Sequence, residues 1–198
     1  MVDHLMSKHR LDALVDAVIA ITMTLLVLEL RLPEDTTGDL FAAIGELTPK
    51  IISWVVSFLL LAQFWRGQMQ ATKGLESMNL SLFHIMIAWL LLTSVIPFTS
   101  SLIGEHNENP QSHVIYAVNL IAVETVVILR NLYLKRHAAL FDNADTSKAK
   151  LDMSSAISVI VAACASVAFA YLVDPEYASL AYVLMLPINR LVERLGLD

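Results

Sequence analysis

The sequence predicts an all-α integral membrane bundle of six transmembrane helices, and three observations predict it. Of 198 residues, 57% are hydrophobic and only 16% charged, against about a quarter charged in an average soluble domain. Mean hydropathy is +0.64. Six apolar runs, at 11–30, 50–66, 81–103, 112–134, 153–173 and 177–192, are each long enough to cross roughly 30 Å of hydrocarbon. The links between them leave no room for a soluble domain, so residues 1–198 read as one membrane unit. The amino-terminal segment lacks an A-x-A-like cleavage site and reads as leading into a retained first helix.

Charge gives the orientation. Lys8 and Arg10, Arg66 and Lys73, Lys135, Arg136, Lys148 and Lys150, then Arg190 and Arg194 all fall on one side. Glu34, Asp35 and Asp39, then Glu105 and Glu108, then Asp174 and Glu176 fall on the other. Arg31 and Lys50 run against the bias without reversing it. Positive residues concentrate on the cytoplasmic side of membrane proteins, so both termini are expected there.

The first crossing has distinct faces. At about 100° per residue, Ala13, Ala17 and Ala20 share a narrow side that Thr24 continues, and Ile21, Leu25 and Leu28 form a ridge beside it. Small residues let helix backbones approach closely in lipid. The ridge suits a symmetry axis, or equally an ordinary lipid-facing or core surface. Asp16 lies within the apolar run, where a carboxylate costs roughly 2.5–3.5 kcal/mol even on a lenient insertion scale. It is therefore expected to face protein or water. Arg10, near the end of the same helix, reads by itself as a charge snorkelling to the headgroups.

The later crossings add polar residues at membrane depth. Trp65 and Arg66 end the second run where an interfacial belt belongs. His84, in the third, lies at a depth similar to Arg10 and Asp16, and the three are expected to form one polar cluster at the base of the first helix. Pro97 is expected to kink that third helix or mark its outer end. The fourth carries Asn119 and a deep Glu124, six residues from Arg130 and on a different side of the helix; a partner elsewhere, or protonation, would satisfy it. The fifth, with Ser154, Ser155, Ser158, Ser166 and many alanines, suits close packing. The sixth is short, with Pro187 and Asn189 near its inner end.

Several functions are excluded or disfavoured. A net charge of −6 argues against a nucleic-acid partner. Cys164 is the only cysteine and reads as a small buried residue. His4, His9, His84, His106, His113 and His137 show no HExxH or i, i+4 pairing, which argues against a metal or an enzyme. The stretch Phe141-Asp142-Asn143-Ala144-Asp145 lacks the glycine and spacing of a calcium loop. No cofactor is expected.

The opening of the first helix, Arg10, three residues, Leu14-Val15-Asp16, and then an apolar run ending in LLVLEL, resembles the signature of the transmembrane protein 175 family. That signature is Arg, three residues, Phe-Ser-Asp; Arg10 and Asp16 match it, while Leu14 and Val15 replace Phe and Ser. Loss of the serine hydroxyl means that the family's polar network there cannot carry over whole. The family comprises potassium channels, with six-helix single-unit prokaryotic members and two-unit animal ones. The resemblance implies a homotetramer in the bacterial plasma membrane, potassium as the permeant ion, and a first helix lining the pore. It places the apolar constriction at Ile21, with Leu25 and Leu28 further along; Thr24, roughly 40–60° around the helix from Leu28 and Ile21, is read as a further pore-lining residue that offers a hydroxyl to an ion or water if the helix rotates.

No TVGYG filter or glycine-containing re-entrant loop is present, so apolar side-chain rings replace a carbonyl filter and imply modest selectivity for potassium over sodium. Glu29 and Asp12 are expected to attract cations at the two mouths. The alternative is a proton-coupled secondary transporter using Asp16, His84 and Glu124, although no internal repeat or broken midplane helix supports it.

Overall fold

The computed structural model describes residues 8–32, 39–75, 78–137, 140 and 153–183. Its helices are α1 (Lys8–Leu25), extended by a 3₁₀ turn (Leu26–Glu29), then α2 (Leu40–Glu46), α3 (Thr48–Ala71), α4 (Leu80–Ser94), α5 (Ile96–Glu105), α6 (Pro110–Arg136), α7 (Ser154–Leu172) and α8 (Leu180–Val183). A second 3₁₀ turn, Pro175–Tyr177, precedes α8. Five spans are long and apolar enough to cross a membrane: Lys8–Glu29, Thr48–Ala71, Leu80–Glu105, Pro110–Arg136 and Ser154–Leu172. These are the first five expected crossings. Beyond Val183 the sixth lies outside the described residues, as do Pro187, Asn189, Arg190, Arg194, Lys148, Lys150 and the 141–145 stretch.

Capping residues start the helices where the sequence allows it. Asp39, Asn79 and Asn109 each accept a backbone N–H from the first turn of α2, α4 and α6, satisfying donors that a helix start leaves open. The bundle core is built from α3 against α5 and from α6 against α4, α5 and α7. Small residues bring these helices together. Ala156, Ala162, Ala163, Ser166 and Ala170 form the buried side of α7. A Cβ on Gly104 of α5 would stand 3.1 Å from the Cα of Lys50, so this glycine permits the close α3–α5 approach.

Buried hydroxyls knit the same seam. Ser57 donates to Ser100 (2.8 Å) and shares a second 2.8 Å bond with Tyr116, while Ser53 donates to the Ser100 carbonyl (3.0 Å). Three helices are thereby joined by groups that find no water in hydrocarbon.

The third crossing breaks at Val95, two residues before Pro97, and α5 then continues for another ten residues. Pro97 therefore divides the helix well short of its end. A proline lacks the N–H that would close the ladder, so carbonyls of the preceding turn need other partners. Asn119 of α6 provides one: its Nδ2 donates to the Leu92 carbonyl (3.0 Å), while its Oδ1 accepts from Thr99 on the far side of the break (3.2 Å). One amide thus bridges both pieces. Asn119→Ala is expected to destabilise the protein by about 1–2 kcal/mol, read as a lower midpoint of thermal unfolding in detergent; an unchanged midpoint would show that the break needs no such partner.

Candidate functional site: the exposed face of the first helix

α1 has one side in the bundle and one side out. Leu11, Val15, Ile19, Thr22 and Leu26, spaced by three or four residues, are buried. The opposite side carries Ala13, Ala17, Ala20, Thr24, Ile21, Leu25 and Leu28, all exposed in the single chain. Ile21 is 58% exposed, Leu25 42% and Leu28 52%. The small stripe and the ridge expected from sequence therefore lie together on the unpartnered face.

Two local features refine that face. After Leu25 the helix tightens to 3₁₀ geometry, with about three residues per turn, which brings Leu28 nearly in line with Leu25. The same tightening aligns Glu29 with buried Leu26 on the inward side. Thr24 donates its hydroxyl proton to the Ile21 carbonyl (2.8 Å), which leaves the oxygen lone pairs as its free valence.

Asp16 is exposed on α1 and accepts a 2.8 Å hydrogen bond from the indole Nε1 of Trp65 on α3. The sequence read Trp65 as an interfacial anchor; it is also the partner of the intramembrane acid. No hydrogen bond or ion pair among the described residues joins Arg10, Asp16 and His84. Arg10 and His84 are exposed, and the His84 ring lies beside Phe83, with centroids 5.8 Å apart. Similar depth placed the three at one level, but contact also requires facing directions that depth does not supply.

Glu29 sits half-buried in the seam between the 3₁₀ turn and α5, accepting from Ser101 (2.9 Å). It lies near Lys50 and Glu105, which pair at 3.2 Å. Asp12 is half-buried in the first turns of α1. Deeper in the bundle, Glu124 and Arg130 are both 3% exposed. Arg130 donates to Gln68 of α3 and to its neighbour Asn131, and does not reach Glu124 within ion-pair distance. Gln68 in turn donates to the Met86 sulfur of α4 (3.3 Å). This amide, linking three helices, had no distinguishing mark in the sequence. Among the described residues, no group of three or more His, Cys, Asp or Glu side chains could hold a metal ion.

The Asp16–Trp65 bond predicts sub-additive mutational effects. Asp16→Ala and Trp65→Phe should each destabilise by about 0.5–1.5 kcal/mol, and the double variant by little more than either alone, when measured as a double-mutant cycle on thermal unfolding. Fully additive losses would show that the two side chains act independently.

Comparison with known proteins gives the family and the fold. A family model described as the endosomal/lysosomal potassium channel TMEM175 matches residues 10–97, from Arg10 of α1 to Pro97 at the helix break. A potassium channel of Streptomyces collinus is 30% identical over 138 residues, covering 67% of this chain and 67% of its own. A potassium channel of Chryseobacterium is 25% identical over 193 residues, covering 96% of this chain and 98% of its own. In fold, the chain is similar to the crystal structure of a lysosomal potassium-selective channel TMEM175 homolog from Chamaesiphon minutus, with a TM-score of 0.67 and 22% identity over 90% of this chain and 94% of that one. The chain is a member of the TMEM175 family, an ion-channel family and not an enzyme family.

Proposed function

We propose that this chain assembles as a homotetramer around α1 and conducts potassium through the central pathway. The observation that carries this reading is the composition of the uncovered face of α1. A lipid-facing surface has no use for Asp16 and Thr24 or for three alanines in a row, whereas a surface facing sister helices and water suits all of them. One helix cannot enclose a pore, and closed cyclic symmetry brings several copies of it to an axis. The similar channels from Streptomyces and Chryseobacterium support potassium as the ion.

In that assembly Ile21, Leu25 and Leu28 form successive apolar rings. Such rings close a pathway by excluding water, and open it by widening until a partly hydrated ion can pass. They offer no carbonyl cage to replace the hydration shell, so discrimination between potassium and sodium is modest. Thr24, between the rings, presents oxygen lone pairs suited to a cation. Asp12 lies at the mouth nearer the amino terminus, and with both termini cytoplasmic this is the inner mouth. Glu29 acts at the outer end through its seam with α5 more than as a free charge.

The test is potassium flux into liposomes containing purified protein, with sodium as competitor. The parent should pass potassium without any coupled gradient, and Ile21→Ala, Leu25→Ala or Leu28→Ala should change the rate or the potassium-to-sodium ratio by roughly threefold to tenfold, equivalent to about 0.7–1.4 kcal/mol at the barrier. Flux that requires a proton gradient, or that ignores all three substitutions, would contradict the pore assignment and favour a carrier.

A further inference from the structure

The first crossing is supported in two parts. α1 packs on α4, α3 and α5, and its 3₁₀ turn packs on α3 and α5. α4 and α5 are separate pieces, divided at Val95. Ile21 and Leu28 lie on the same exposed face, but Ile21 belongs to the α-helical part, which α4 also supports.

α5 is anchored independently of the first crossing. Ser100 is bonded to Ser53 and Ser57, Lys50 pairs with Glu105, and Gly104 allows backbone contact with α3. From this fixed piece Ser101 reaches the first crossing and donates to Glu29 Oε2 at 2.9 Å. A hydroxyl-to-carboxylate bond is stronger than one between neutral groups. The turn it holds has weak internal geometry, because 3₁₀ hydrogen bonds are poorly aligned. Its inward side is Leu26 and Glu29, and its outward side is Leu28.

We infer that Ser101 is a positioning residue for the outer half of the pathway: its bond to Glu29 sets the rotation of the turn that carries Leu28. The inference rests on the pore reading of α1.

Cysteine accessibility tests it. In a Cys164→Ala background, which removes the only native cysteine, Ile21→Cys or Leu28→Cys is introduced and the reconstituted protein is treated with a water-soluble methanethiosulfonate. Adding Ser101→Ala should change the modification rate at position 28 by roughly threefold or more and leave position 21 unaltered. Ser101→Thr, which keeps the hydroxyl, should restore the parent rate at 28. Equal rates at 28 with and without Ser101→Ala would overturn the inference, as would equal changes at 21 and 28. In either case, parent flux altered by Leu28→Ala would leave the pore reading standing. A position 28 that the reagent never reaches, together with no potassium flux, would overturn both.

Discussion

Hydrocarbon offers no hydrogen-bond partner to a carbonyl, an amide or a carboxylate, so polar groups inside this bundle are served by their own helix or by a neighbouring one. The architecture follows that constraint. Ser53, Ser57, Ser100 and Tyr116 bond to one another where α3, α5 and α6 meet. Asn119 serves the backbone opened by Pro97. Gln68 joins Arg130 to Met86 and so ties α6, α3 and α4. Apolar surface alone would hold none of these helices in register, because lipid tails bury it equally well. The polar contacts and the small residues that permit close approach do so.

The same constraint separates the two sides of α1. Its buried side is apolar apart from Thr22, whose hydroxyl donates to the Val18 carbonyl, while its exposed side mixes alanines, Thr24, Asp16 and a leucine-rich ridge. Trp65 supplies Asp16 with one donor, which leaves the carboxylate's remaining acceptor capacity facing outward. Such a surface is incomplete in a single chain. In the proposed assembly, further copies and a water-filled axis complete it.

Much of this was legible from periodicity and composition. Five spans, the two faces of the first helix and the break near Pro97 follow from apolar run length, spacing at about 100° per residue, and the missing proline N–H. Partners were not legible, because they depend on which helices become neighbours. Asp16 and Trp65 are 49 residues apart, Arg130 and Gln68 62, and Glu29 and Ser101 72. Arg10, Asp16 and His84 illustrate the limit: shared depth suggested a cluster, but His84 faces outward on α4 and Asp16 turns to α3. The shift from α to 3₁₀ geometry after Leu25 was equally hidden, since LLVLEL contains no glycine or proline to mark it. That shift decides that Glu29 enters the seam while Leu28 stays on the exposed face.

The central claim is that the uncovered ridge of α1 faces identical ridges across an axis. Disulfide trapping tests it most directly: Leu25→Cys in the Cys164→Ala background, oxidised in native membranes and resolved without reductant. The account predicts covalent dimers at position 25, and none when the cysteine is placed instead at Leu129, an exposed residue of α6 far from α1 in sequence and outside its packing partners. Monomers at position 25 under conditions that label the same thiol with a lipid-soluble reagent would put the ridge against lipid and contradict it.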